Sequence, residues 1–209
     1  MTEAVERTDR RGLRRQQTIE EILEVALDLM AERGVGGLAL SEVARRIGVQ
    51  PPSLYKYFPS LHAIYDELFA RGQRAHLDAM STAVQGVESG LAAVTKAQEA
   101  GMRWAMANLP LAQLLFWRPV PGFEPSEEAF EPSKQMVELF RTALRRAVRQ
   151  GELGPGGASQ EAMGIVAVAM AGVSSQYLAN EPGVPWERSV YVRLLARTPE
   201  FLRAAFPPR

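Results

Sequence analysis

Between Pro51 and Phe58 the chain reads PPSLYKYF, and the side chains best equipped to meet an anion or a base edge lie there. Lys56 is one of only three lysines, the others being Lys96 and Lys134. A compact ammonium on a flexible stem suits a phosphate oxygen, or a guanine edge if its helix enters a groove deeply enough. On a helix, Leu54 and Phe58 stand four apart and anchor one side, leaving Ser53, Tyr55, Lys56 and Tyr57 to project around the other. The plainer alternative for Tyr55 and Tyr57 is that they are packing aromatics. Chemistry of other kinds is scarce. The chain has no cysteine, which excludes disulfides, a thiol nucleophile and cysteine-bound metal, and which suits a reducing cytoplasm. Its two histidines, His62 and His76, fall on one predicted helix about 21 Å apart along the axis, too far to share a metal or an active site. The runs GVGG and GPGG lack the spacing and the preceding strand of a phosphate loop, and nothing around Ser60 or Ser81 suggests a nucleophile elbow. This is a residue set for contact rather than catalysis, and it calls for no cofactor and no metal.

Contact of this kind needs a short, rigidly seated helix, and the flanking sequence supplies its supports. Ile19, Ile22, Leu23, Ala26, Leu27 and Met30 recur at helical spacing with Glu20, Glu21, Glu24 and Asp28 opposite, and Gly34 ends that helix. A short helix from about Leu40 to Ile47 stops at Gly48, and another starts at Pro51 or Pro52 and ends near Phe58. The intervening Gly48, Val49 and Gln50 make a tight turn of the helix-turn-helix kind. Ser60 is placed to cap a long helix reaching about Val84, with Leu61, Ile64, Tyr65, Leu68 and Phe69 on one face. Further helices are expected from about Leu91 to Asn108, over Leu111 to Trp117 after Pro110, and from near Pro132 to Gly151. The last two run from the Ser159 cap to about Leu178 and from about Pro185 onward, kinked at Thr198–Pro199. Pro119, Pro121, Gly122 and Pro125 mark a loop, no segment alternates as a strand does, and no repeat appears.

Net charge is zero, with 24 basic and 24 acidic residues, so the distribution matters more than the total. Arg7, Arg10, Arg11, Arg14 and Arg15 form a basic arm opposed locally only by Asp9; a solvated, disordered tail is the alternative. No apolar h-region follows the charged N-terminus, so no secretory signal is expected. From Glu161 to Glu181 no charge intervenes, but the strongly apolar part runs only from Ala162 to Val173, which suits a buried helix and no membrane span.

The run LALSEVARRIGVQPPSLYKYF from Leu38 to Phe58, preceded by AERG and followed by PSLHAIYDEL, resembles the DNA-binding domain of TetR-type regulators. The resemblance is specific over about residues 12 to 70. It implies an all-α protein of about nine helices: an N-terminal three-helix helix-turn-helix DNA-binding domain over 12–60, and a larger C-terminal helical domain over 61–209 for ligand binding and dimerisation. Carried over position by position, it implies that Gln50, Pro51, Pro52, Ser53, Tyr55, Lys56 and Tyr57 line a double-stranded, palindromic operator, with Tyr55 on a phosphate and with Arg45 and Arg46 on the supporting helix. Ala39 and Leu61 stand where the family commonly has phosphate-touching threonine and lysine. Ser41 or His62, and the arginines from Arg10 to Arg15, Arg14 and Arg15 among them, are the candidates to replace those contacts.

The resemblance also implies a small-molecule effector, and with it a repressor released by ligand. Met102, Trp104, Met106, Phe116 and Trp117, with Phe140, Met170 and Tyr177, can line an adaptable apolar pocket; ordinary core is the competing reading for each. The helix after Ser159 is apolar nearly all round and studded with small residues, so one side needs a covering from outside its own core. Pairing it and the last helix with their copies gives a homodimer, with Gly164, Ala167, Ala171, Ser175 and Leu195 at the interface. A helical carrier that binds a lipophilic molecule without DNA would share the pocket, but would have no use for the basic arm or the YKYF helix.

Overall fold

The computed structural model describes the backbone of residues 2–208 and the side chains of residues 12–208. Among these residues nine α-helices follow one another: α1 (Thr2–Arg33), α2 (Leu40–Arg46), α3 (Pro51–Leu54), α4 (Leu61–Ala83), α5 (Gly90–Ala107), α6 (Leu109–Trp117), α7 (Glu127–Arg149), α8 (Gln160–Asn180) and α9 (Thr198–Ala205). Short 3-10 segments at Val35–Gly37, Pro155–Ala158 and Val192–Arg197 complete the regular structure. The chain divides into two units. One runs up to Gly72 and takes in Leu109–Ala129; the other joins Gln73–Asn108 to the chain from Phe130 onward. This division does not coincide with a boundary at 60/61, because the first half of α4, α6 and the loop after it pack with the helix-turn-helix.

In the first unit α1 buries Ile22, Leu23, Ala26, Leu29 and Met30 and stops at Gly34, whose φ of 79° closes the helix in the left-handed region. Its N-terminal part differs from the arm expected there. The backbone is helical from Thr2 and stays so through Gly12, the residue of that stretch with the lowest helix propensity. The side chains of Arg7, Arg10 and Arg11 lie outside the described residues. Helix α2 ends at Gly48, also left-handed at φ 73°, and α3 is shorter than the run to Phe58 expected for it. After Leu54 the chain tightens into a turn, with Lys56 N–H donating to the Ser53 carbonyl and Tyr57 N–H to that of Leu54.

Helix α4 ties this unit together. Ser60 Oγ accepts from Ala63 N–H as its cap, and the buried Tyr65 hydroxyl donates to the Val35 carbonyl at 2.6 Å. Six residues later Arg71 reaches Glu20 of α1 and Glu67 of its own helix; hydrogen bonding to Arg71 holds the Glu20 carboxyl down at about 2. The loop after α6 is fastened to the same helix. Phe123 packs against His62, Tyr65 and Phe69 with ring centroids 5.6–6.4 Å apart, while Asp66 accepts from both the backbone N–H and the hydroxyl of Ser126.

The second unit is built around α5. Its N-terminal donors are met by Ser89, Gln150 and Glu152, and Gly90 lies so close to α7 that a methyl group there would fall on backbone atoms of Ala143 and Ala147. Leu91, Val94, Ala97, Leu144, Ala147, Ala162, Val166 and Leu202 fill its core. A continuous last helix from Pro185 is not what forms. The Glu181 carboxylate accepts from the Ser189 hydroxyl and the Val190 N–H, folding the intervening chain into turns, and regular helix resumes only as a 3-10 segment followed by α9. Helix α8 is, among the described residues, the one helix long and apolar enough to cross a membrane by length and composition.

Replacing Tyr65 by Phe leaves the Val35 carbonyl buried without its donor and should cost about 1–3 kcal/mol of stability. Denaturant unfolding followed by helical circular dichroism checks this; an unchanged midpoint would mean that the hydroxyl contributes nothing to holding α4 against the turn after α1.

Candidate nucleic-acid interface

Leu54 and Phe58 are buried, and with them as feet α3 presents a compact outer surface. Gln50, Pro51, Pro52, Tyr55 and Lys56 are exposed, Tyr55 to 57%, and Ser53 and Tyr57 are half-buried at its edge. Ser41 on α2 is exposed as well, as are Arg14 and Arg15. Arg15 lies 5.5 Å from the centroid of the Tyr57 ring, a cation–π contact that brings the basic segment of α1 alongside α3. His62 is exposed but its ring lies edge-on to Phe123.

Arg45 and Arg46 are both engaged by acids, Arg45 while remaining exposed. Glu42 takes Arg45 in a fork at 2.7 and 3.0 Å and also receives Arg33 at 3.0 Å, while Arg46 pairs with Glu32. Hydrogen bonding from Arg45, helped by the charges of Arg33 and Arg46, lowers the Glu42 carboxyl to about 2. One carboxylate therefore partly neutralises three guanidiniums on the surface that was expected to face DNA. Lys56 is grouped with none of these carboxylates. Glu42 was legible in the sequence as an i,i+3 and i,i+4 partner of the two arginines, whereas its third partner, Arg33, stands nine residues away on α1.

The residues expected to line a pocket are spread over several groups. Met102 and Tyr177 are buried in one core cluster of the second unit, Phe140 and Met170 belong to another, and Trp104 and Met106 are half-buried. Phe116 and Trp117 belong to the first unit and are each 43% exposed. The second unit carries two open clefts, of about 410 Å³ by Leu77, Leu139 and Arg146 and about 630 Å³ by Trp186, Arg193 and Leu194, neither lined by any of that set. Sequence reading missed a buried polar group, Gln73, His76 and Gln98, although Gln73 and His76 sit in core register on α4.

Of the residues expected at a dimer interface, Gly164, Ala167, Ala171 and Ser175 are exposed along one face of α8, together with Val168 at 72%. Leu195 is a correction. It is fully enclosed within its own unit, and Leu194 is the exposed neighbour, because the segment is a 3-10 helix of three residues per turn and an α-helical face assignment slips by one.

Residues 22–68 match the profile described as bacterial regulatory proteins, tetR family. An HTH-type transcriptional regulator of Bacillus subtilis, YobS, is 34% identical over 67 residues, 32% of this chain and 35% of its own length. The regulator Rv1816 of Mycobacterium tuberculosis is 24% identical over 156 residues, 70% of this chain and 64% of its own. The chain thus spans about a third and just under two thirds of these two relatives. Among solved structures, the transcriptional regulator FadR from Bacillus subtilis in complex with stearoyl-CoA superimposes with a TM-score of 0.70 at 17% identity, covering 88% of this chain and 96% of its own, a likeness of fold. The helix-turn-helix is thus similar in sequence to that of the bacterial regulatory proteins of the tetR family, and the nine-helix architecture among the described residues is similar in fold to solved TetR-family regulators.

Proposed function

We propose that the protein binds a palindromic double-stranded operator as a homodimer in the cytoplasm and represses transcription until a small lipophilic or aromatic effector releases it. The observation that carries the DNA-binding half is the seating of α3: two buried apolar feet, Leu54 and Phe58, under an exposed group that includes Gln50, Tyr55 and Lys56. Such a group can meet both phosphates and base edges, and Arg15 over Tyr57 adds a cation beside it. Arg45 can join only by exchanging the Glu42 carboxylate for a phosphate, so it is placed second to Lys56.

Dimerisation is supported by the bare face of α8, where Gly164, Ala167, Val168, Ala171 and Ser175 leave the helix apolar and smooth enough for a close approach by a copy of itself. Exposed Leu194 and Phe201 in the C-terminal segment extend the apolar area available to a partner. The effector reading is supported by the similarity to the tetR family and by the likeness of fold to FadR, a protein whose structure holds stearoyl-CoA; the ligand of this chain is a separate matter of its own side chains.

A mobility shift on the gene's own upstream DNA, repeated across salt concentrations, tests the DNA site. Lys56→Ala should weaken binding and flatten the logarithmic salt dependence by about one unit. Glu42→Gln, which frees Arg45 for phosphate, should steepen it. An unchanged slope in both variants would remove α2 and α3 from the interface.

Assembly is tested at α8. Ala171→Glu would bury an unpaired carboxylate between protomers, and it should split the dimer and lower operator affinity roughly a hundredfold or more, although residues 12–60 are untouched. Sedimentation reports the outcome directly: a variant that sediments as a dimer points this face elsewhere.

A further inference from the structure

We infer that the second unit is built to take an uncharged, largely apolar ligand that donates hydrogen bonds, such as an alcohol, a phenol or an amide, at the meeting of α4, α5 and α8. The inference rests on the effector-binding reading above and names the chemistry of its ligand.

Three helices bring polar groups into an interior that otherwise holds carbon and sulfur. On α4, Gln73, His76 and Met80 follow at three and four residues and so share one face. On α5, Gln98 and Gly101 share another, and α8 contributes Val166 and Met170. His76, Met80 and Met170 meet at Gly101: a methyl group placed there would strike the terminal carbons of the two methionines and lie 2.7 Å from His76 Nε2. Trp104 lies against His76 with ring centroids 5.0 Å apart.

Gln98 is fully enclosed, and its amide nitrogen donates to the Val166 carbonyl at 3.0 Å, which fixes the direction of the side chain. Its Oε1 then points away with no donor to meet it, and the Oε1 of Gln73, 97% enclosed, has none either. A buried acceptor stripped of water loses free energy that an incoming N–H or O–H can restore. Two such oxygens ask for a donor rather than an acceptor.

The walls decide the rest of the ligand. Met80 and Met170 are unbranched and flexible, and their terminal methyls occupy the point where the helices come closest, so they can swing aside to admit an apolar body. No Lys, Arg, Asp or Glu is buried among the described residues, and burial keeps the His76 imidazole neutral at physiological pH. A carboxylate or phosphate would enter with nothing to balance it, and an ammonium would fare no better. The ligand expected here is therefore neutral, and differs in that respect from the anionic stearoyl-CoA of the FadR structure.

Three probes of one shape separate the possibilities on the full-length protein: 4-propylphenol, propylbenzene and 4-propylbenzoate. Binding is read by tryptophan fluorescence and by the rise in melting temperature. The phenol should bind about 5- to 10-fold more tightly than the hydrocarbon, the gain of one hydrogen bond, and the benzoate should bind most weakly. Gln98→Met and Gln73→Met, close in shape but without the acceptor, should each reduce the phenol's advantage while leaving propylbenzene as tight or tighter. Either variant serves if the other fails to fold. Equal binding of phenol and hydrocarbon, tightest binding of the benzoate, an advantage that survives both variants, or no phenol binding at all would overturn the inference. None of these measurements contains DNA, so failure of operator binding shows separately in the mobility shift.

Discussion

Helices of seven and four residues have no stability of their own in water, because nucleating a turn costs more than so few hydrogen bonds return. Everything that α2 and α3 present to the outside therefore depends on the apolar floor beneath them. Val43, Ala44 and Leu54 are the buried residues of that pair, with Phe58 buried in the turn that follows, and α1 and the first part of α4 belong to the same unit. Tyr65 makes the floor specific as well as apolar, since its hydroxyl commits α4 to one position against the turn after α1. Phe123 packs against the same ring, so the loop after α6 shares the support.

Charge on this surface is arranged with equal economy. A free guanidinium attracts any phosphate, and a surface of them would hold DNA without regard to sequence. Glu42 and Glu32 temper that pull by occupying the arginines of α1 and α2, while Tyr55 and Lys56, which have directional and compact chemistry, stand clear.

Much of this was legible in the residues. The apolar stripe of α1, the glycine stops at 34, 48 and 151, the serine caps at 60 and 159, and the anchoring by Leu54 and Phe58 follow from local rules about periodicity and backbone freedom. The family resemblance added the site assignment to them. What escaped was set by partners distant in sequence or by a change of helix type. Glu20 meeting Arg71 and Asp66 meeting Ser126 span 51 and 60 residues, and no local pattern announces them. The turn after α8 hinges on the Glu181 carboxylate, and Leu195 turned inward because three residues per turn replaced 3.6. The residues expected around a pocket fall into two core clusters and the surface, because large soft side chains mark a core as readily as a cavity. The polar exceptions in core register were the more informative residues.

The bare face of α8 has a consequence for how the protein's amount is read. Where two copies must meet to cover it, the concentration of the paired form rises as the square of the protomer concentration when protein is scarce. Occupancy of a DNA site that accepts only the pair then climbs from near zero over a narrow span of expression. A cell carrying this chain would obtain a threshold from mass action alone, set by the smoothness of one helix and before any small molecule is present.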